Sequence, residues 1–436
     1  MTTHVQAPTQ AQALALHGGA PIRSAPWPAY NSMGEEEKRA VMEVMDSKVL
    51  SQFLGAWTPD FYGGPRVRAL EDAWTEYFGC RHAVSMNSAT SGLYAAIGAA
   101  GIGPGDEVIV TPYTMSASAV AALVYGAIPV FADIDPDTFC ISPDSIRKLL
   151  SPRTRAIVAV DIFGHPAAMD EIMAIAREHK LVVIEDAAQA PGASLNGRYA
   201  GTLGHMGVFS LNYHKTIQSG EGGVVVTDDP DLADRLQLIR NHAEAVVEAK
   251  GTANLVNMVG FNYRMTEIEA AIAREQLRKL KGLLDARIDA AATLDSLLAG
   301  MPGITCPRIA SGVRHGYYVY AMRYDAQKAG MSREDFIAAI RAEGIPINPG
   351  YVRPLYLQPM YQQRIAFGKD GYPFTHPANA GCRQEYARGT CPVTERMHYQ
   401  ELIFGDLCHA NVSRDDLEDV ARAFDKVLGA ATAGRD

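Results

Sequence analysis

The chain has 436 residues, 47% of them hydrophobic and 20% charged, with a net charge of −9. That balance excludes a mostly disordered chain, and the negative charge argues against a broad nucleic-acid surface. The length suggests two domains, or one large α/β domain with a smaller one attached. Six cysteines, none in a CxxC pair, point to reduced thiols and to no metal or thiol-redox site. The first residues lack a basic region followed by a sustained apolar run, so no signal peptide is expected. Residues 108–132 carry no charge, but Thr111, Pro112, Ser116, Ser118, Gly126 and Pro129 break the run. A strand, a small-residue helix and a second strand explain it better than a membrane span. A cytoplasmic protein with no membrane partner is the expectation.

Residues 1–20 are rich in Ala, Gln and Thr and read as a flexible segment. Beyond them, short apolar runs alternate with helical patterns. RHAVSM (81–86), EVIV (107–110), IPVF (128–131), RAIVAV (155–160), LVVIED (181–186), GVFSL (207–211) and GGVVVTD (222–228) are predicted strands. Such runs separated by helices predict an α/β fold with a largely parallel sheet covered on both faces. From Met265 to about Leu298, apolar positions at helical spacing predict one long amphipathic helix. It is expected to link a large domain over 21–280 to a smaller α+β domain over 281–436. The second domain should hold a strand within YYVYAMRY (317–324), a helix from about Ser332 and a final helix over 413–429. Residues 345–391, rich in Pro, Tyr and Gly, read as ordered loop.

In open parallel sheets, ligands bind beyond the carboxyl ends of the strands. Three fragments fall there. Asn87-Ser88-Ala89-Thr90-Ser91-Gly92 opens a small-residue helix, a composition that suits either plain N-capping or a phosphate. LVVIED ends in Asp186, an acid that needs a hydrogen-bond or cationic partner if buried; Arg, a metal or a protonated pyridine would all serve. Lys215 follows a strand and precedes a Gly-rich turn, where it is either a solvated surface lysine or a candidate Schiff-base former. Its surroundings match neither GxGxxG nor a Walker spacing. Together, a phosphate-type helix start, a buried acid and a lysine in one domain suit pyridoxal phosphate.

These segments also carry a family resemblance. NSATSGL, GDEVIVTPYTMSASA, GAIPVFADID, VVIEDAAQAPGA, VFSLNYHKTIQSGEGGVVVTDD and GFNYRMTEIEAAI, in that order, resemble the sugar and cyclitol aminotransferases of the DegT/DnrJ/EryC1/StrS type. The resemblance runs from about Trp27 to the C-terminus and implies a fold-type I pyridoxal-phosphate enzyme. By it, Lys215 would be the Schiff-base lysine and proton shuttle, Asp186 the partner of the ring nitrogen and Gln189 that of the ring oxygen. Ser88, Ala89, Thr90 and Ser210 would line the phosphate site. Met115 would take the ring-stacking position, which is commonly aromatic, with Tyr113 a neighbouring candidate. His214 could tune Lys215. The resemblance further implies a homodimer with shared active sites, in which Asn262 would reach the partner's phosphate.

The implied reaction is ping-pong transfer of an amino group from L-glutamate or L-glutamine to a keto-sugar, often nucleotide-linked, or to a cyclitol ketone. CPVTERMHYQELI and NPGYVRPLYLQPMYQQ resemble the branch that aminates cyclitol ketones, making Tyr356 and His398 substrate candidates. Retention of Lys215 speaks against the family's dehydratases, which carry His there. The alternatives are a sugar dehydratase or an aminohydroxybenzoate-synthase-like enzyme, and then a catalytically silent pyridoxal-phosphate-binding regulator. The residues before Trp27 are too few for a helix-turn-helix.

Overall fold

A computed structural model describes residues 13–433. All seven predicted runs form strands: β1 (His82–Met86), β2 (Glu107–Val110), β3 (Ile128–Phe131), β4 (Thr154–Val160), β5 (Val182–Asp186), β6 (Met206–Ser210) and β7 (Gly223–Thr227). They make one sheet in the order β1-β7-β6-β5-β4-β2-β3. Only β7 runs against the others, pairing antiparallel with both β1 and β6. The strands are buried nearly throughout, which is why their sequences read as unbroken apolar runs.

Helices α1 (Ala89–Ala99) and α2 (Ala117–Val124) follow β1 and β2. Their Ala, Gly and Ser residues let them lie close to their neighbours. In α1, a Cβ at Gly92 would stand 2.9 Å from Val225 and 3.0 Å from Val208, on β7 and β6. The long helix α3 (Glu267–Leu298) is set at its start by a capping box. The Thr266 hydroxyl accepts from Glu269 N–H at 3.3 Å, and the Glu269 carboxylate accepts from Thr266 N–H at 2.9 Å. Its first half packs Ala270, Ala273, Leu277 and Leu280 with the edge of the large sheet. Its second half packs Ala290, Ala291, Leu294 and Leu298 into a separate core. The domain change expected near 280 therefore falls inside one continuous helix.

That second core is built on a small antiparallel sheet of β8 (Ile304–Thr305), β9 (Tyr320–Tyr324), β10 (Asn348–Pro349) and β11 (Leu402–Gly405), ordered β8-β9-β11-β10. Helices α4 (Arg333–Ala342) and α5 (Arg414–Ala433) pack on it. Ser332 caps α4 by accepting from Asp335 N–H at 3.1 Å, the start the sequence predicts.

The division at 281 needs correction in two places. Leu355, Tyr356, Leu357, Tyr361, Phe374, Tyr386, Cys391 and Met397 pack into the core of the large sheet, not the small one. Leu355 N–H donates to the Pro112 carbonyl at 3.0 Å, anchoring this returning segment beside the end of β2. The N-terminal stretch crosses the other way. Leu14 packs into the small core, Ala15 N–H donates to Glu343 at 2.8 Å, and Arg23 pairs with Asp416 and, at 3.1 Å, with Asp419. Of the segment read as flexible, residues 1–12 lie outside the described residues, and 13–20 are docked on the small domain. Among the described residues, no helix is long and apolar enough to cross a membrane.

Candidate active site

Strand register gathers the phosphate-type residues. Gly223 of β7 stands opposite both Met86 of β1 and Ser210 of β6. A Cβ on Gly223 would sit 2.6 Å from Ala89 N, so only glycine lets β7 close against the start of α1. Ser88 caps α1, its hydroxyl accepting from Ser91 N–H at 3.0 Å. Ala89 and Thr90 open the helix, where backbone N–H groups lie outside the helix's own ladder and can meet an anion. Ser210 ends β6, its Oγ accepting from Asn212 N–H at 3.4 Å.

Asp186, at the end of β5, is only 5% exposed. Its Oδ2 accepts from Ser118 of α2 at 2.7 Å, and its Oδ1 accepts from Ala188 N–H at 3.2 Å. Burial pushes its carboxyl up, while these two bonds and the Lys215 ammonium pull it down. Lys215 is 8% exposed and lies in the turn between β6 and β7. Its Nζ sits 4.7 Å from the centre of the Tyr318 ring, and no carboxylate pairs with it among the described residues. Burial draws its ammonium down to about 8, against the opposing pull of Asp186. Neutral amine, which nucleophilic attack on a carbonyl needs, is therefore a minor species at pH 7 and the larger share above about pH 8. The turn is held by Lys215 N–H on the Asn212 carbonyl at 2.9 Å and by the Tyr30 hydroxyl on the Thr216 carbonyl.

Gln189 completes the group. Its Oε1 accepts from Phe163 N–H at 2.7 Å, and its Nε2 donates to the Tyr351 hydroxyl at 2.9 Å. The set fits pyridoxal phosphate chemically. Asp186 is a buried anion short of a cation, Lys215 a buried amine, and the start of α1 an anion cradle.

The family model for the DegT/DnrJ/EryC1/StrS aminotransferase family matches residues 31–425. The chain belongs to this family. It is 35% identical over 438 residues to the L-glutamine:2-deoxy-scyllo-inosose aminotransferase of Streptomyces fradiae, covering 95% of this chain and 97% of that one. GDP-perosamine synthase of Caulobacter vibrioides is 37% identical over 326 residues, covering 74% and 84%. Among solved structures, an aminotransferase from Psychrobacter cryohalolentis superposes with a TM-score of 0.80 at 30% identity, covering 93% of this chain and 100% of that one. The aminotransferases of this family are in general pyridoxal-phosphate enzymes.

In this aminotransferase the other candidates take varied places. Met115, just before α2, is 61% exposed. His214 is exposed, its ring 6.3 Å from that of Tyr318; partial burial and the Lys215 charge lower its pKa. Asn262 is exposed, with Oδ1 accepting from Arg264 at 2.9 Å, while its carbonyl accepts from the Asn87 side chain at 3.3 Å beside the phosphate-type loop. Tyr113 is fully buried, edge-on to Phe163 and Tyr351 with its hydroxyl unpartnered, so it lies in the core and not on an open substrate face.

Tyr356 is corrected outright. It is wholly buried against Phe131, and its hydroxyl donates to Glu395 at 2.5 Å. The tyrosine of that segment that reaches the site is Tyr351, five residues earlier, through Gln189. His398 lies next to Gly350, the residue before Tyr351, with a buried, unpartnered Nδ1. Ser118 and Tyr318 also escape the sequence reading. Ser118 was visible as a lone hydroxyl in the small-residue helix after TPYTM, but only the fold brings it to Asp186.

Proposed function

We propose that this aminotransferase uses pyridoxal phosphate to move an amino group from L-glutamine or L-glutamate to a cyclitol ketone or keto-sugar. The observation that carries the reading is two buried groups in one site: the Lys215 amine, its ammonium drawn down to about 8, and the Ser118-bound Asp186 carboxyl. When bound, the cofactor supplies an aldehyde for amino groups and a protonated ring that accepts the electron pair left by a departing proton.

Ser88, Ala89, Thr90 and Ser210 would hold the cofactor's phosphate, and Met115 would take the ring-stacking position. Asp186 holds the ring nitrogen's proton, and Ser118 holds Asp186. Gln189, tied on one side to Phe163 and on the other to Tyr351, fixes the ring oxygen. With the cofactor bound, Lys215 Nζ would serve as the base that removes the donor's α-proton and as the acid that returns it. In the second half-reaction the same nitrogen moves a proton in the reverse sense onto the acceptor carbon, which gives ping-pong kinetics. His214 stands beside Tyr318, and burial with the Lys215 charge favours its neutral ring, which leaves Lys215 free of a second cation.

Both acceptor classes have end-to-end counterparts: the inosose aminotransferase covers 95% of this chain, and DesI, solved with its TDP-sugar product, covers 97%. His398, beside Gly350 and so one residue from Tyr351, is the substrate residue we infer for that segment. The enzyme works in the cytoplasm as a homodimer with shared sites, Asn262 serving the partner's phosphate. Exposed Met42, Met45, Val49, Leu50, Leu255 and Val259 are apolar surface that such pairing would cover.

The test is cofactor loading followed by borohydride reduction and peptide mass mapping. The reading expects the cofactor's mass on Lys215, and conversion by L-glutamine or L-glutamate to the amine form in unreduced protein. Loss of neither the aldehyde absorbance nor any amino group on donor addition would overturn the aminotransferase reading for those donors.

A further inference from the structure

Two more carboxyl groups lie directly behind Asp186. Ala159 of β4 stands opposite Glu185 and Val160 opposite Asp186. Alternation along the strands turns Glu185 to the opposite face from Asp186 and brings Asp161, the residue after β4, to the side of Glu185. Asp161 N–H donates to the Asp186 carbonyl at 3.0 Å, extending the pairing by one residue. Both side chains are wholly buried.

Each acid has one satisfied oxygen and one that is not. Glu185 Oε2 accepts from Leu203 N–H at 2.9 Å and Gly204 N–H at 3.2 Å. Asp161 Oδ1 accepts from Ala167 N–H at 2.8 Å. Asp161 Oδ2 and Glu185 Oε1 have no donor. The two carboxyl groups are hydrogen-bonding neighbours, yet ionised carboxylates only accept. Two buried acceptors facing one another are satisfied only by a proton between them. Glu185 receives more backbone N–H groups than Asp161, so the negative charge is better stabilised on Glu185.

We propose that Asp161 is a carboxylic acid at neutral pH, its Oδ2–H donating to Glu185 Oε1, and that it acts as a positioning residue for Asp186. The titratable groups acting on Asp161 are Glu185, Asp186 and the buried Cys140 thiol, none of them a cation. Burial and the two acids push the Asp161 carboxyl well above the ordinary range, in agreement with the hydrogen-bond count. An ionised Asp161 would set a second negative charge behind Asp186, and Asp186 would then be driven to take up a proton itself. The proton on Asp161 leaves Asp186 an anion for the ring nitrogen. That consequence rests on the proposed cofactor chemistry; the protonation of Asp161 does not.

The test therefore uses the cofactor-free protein and its Asp161→Asn variant. Asparagine keeps Oδ1 for Ala167 N–H and offers Nδ2 to Glu185, so it reproduces the protonated acid. Unfolded by denaturant near pH 7 in weak buffer, the wild type should release about one proton more than the variant, as Asp161 returns to its ordinary carboxylate range. A folded-state value raised above the unfolded one gives stability that is lost as pH rises. The wild-type melting temperature should thus fall relative to Asp161→Asn through the alkaline side of neutrality. Equal proton release with parallel melting profiles would overturn the proposal. If the variant does not fold, the wild type alone decides: a carboxylic-acid carbonyl stretch in the infrared near neutral pH supports the held proton, and its absence refutes it. As a separate arm, pyridoxal phosphate should bind Asp161→Asn within about twofold of wild type and Asp161→Ala more weakly. Failure of binding in all three, with the proton release intact, would count against the cofactor reading only.

Discussion

Replacing Ser118 with Ala isolates one interaction of the candidate site. The hydroxyl donates to Asp186 Oδ2 at 2.7 Å inside a buried pocket, leaving Ala188 N–H as the other donor to that carboxylate. A hydrogen bond to a charged group contributes about 1.5–3 kcal/mol. Its loss should raise the Asp186 proton affinity by about one to two pH units, since one unit is about 1.4 kcal/mol. Burial already holds the Asp186 carboxyl above its ordinary value, so the change adds to a displacement in the same direction. Stability tied to a raised carboxyl is present at low pH and lost as pH rises through the folded-state value. The cofactor-free variant should accordingly melt about 2–3 °C below wild type near pH 8, taking a chain-length entropy of about 0.9 kcal/mol per degree. The gap should narrow near pH 4, where a protonated Asp186 depends less on the hydroxyl. With cofactor bound, turnover should fall about tenfold or more, because the acid opposite the ring nitrogen holds its charge less firmly. A melting deficit of equal size at both pH values would show that Ser118 only fills space and would refute the electrostatic argument.

Three further outcomes follow from the same geometry. The rate at which pyridoxal phosphate loads onto the cofactor-free protein should rise with pH and level off above about 8, because only the neutral Lys215 amine reacts; stopped-flow absorbance reads this directly. Tyr351→Phe should weaken cofactor binding by removing the acceptor that orients the Gln189 amide, whereas Tyr356→Phe should leave KM for both substrates unchanged. Tyr356→Phe should instead lower stability by about 1.5–3 kcal/mol, the size of a hydrogen bond to the Glu395 carboxylate, as followed by denaturant melts. Arg23→Ala breaks the pairing of the N-terminal stretch with Asp416 and Asp419, and should make the bonds after Leu14 and Leu16 more accessible to limited chymotrypsin digestion.

The large sheet was legible because its strands are buried on both faces. A buried parallel strand is an apolar run of four to seven residues, and the seven runs read as strands form the sheet. The ends of α3 and α4 were legible for a different reason: Thr266 with Glu269, and Ser332 with Asp335, satisfy backbone N–H groups locally, so the signal is complete within four residues. Lys215 and Asp186 announced themselves only as a combination, each being unremarkable alone. Ser118 and Tyr351 act on groups 68 and 162 residues away, and no local pattern encodes such a contact.

The division between domains failed for a related reason. A chain that passes from one core to another inside a helix leaves no Gly- or Pro-rich linker, and α3 keeps an apolar stripe throughout because there is always something to bury it against. The segment from Tyr351 to Met397 then returns to the large core with aromatic side chains and short turns, carrying no period that would say which sheet it covers. That return is also what closes the site. Leu355 on the Pro112 carbonyl and Tyr351 on Gln189 fasten it across the ends of β2 and β5, so the stretch whose sequence is least regular lies against the candidate site. A frame built from periodic elements can keep Lys215, Asp186 and Ser118 fixed while an aperiodic strap varies over them.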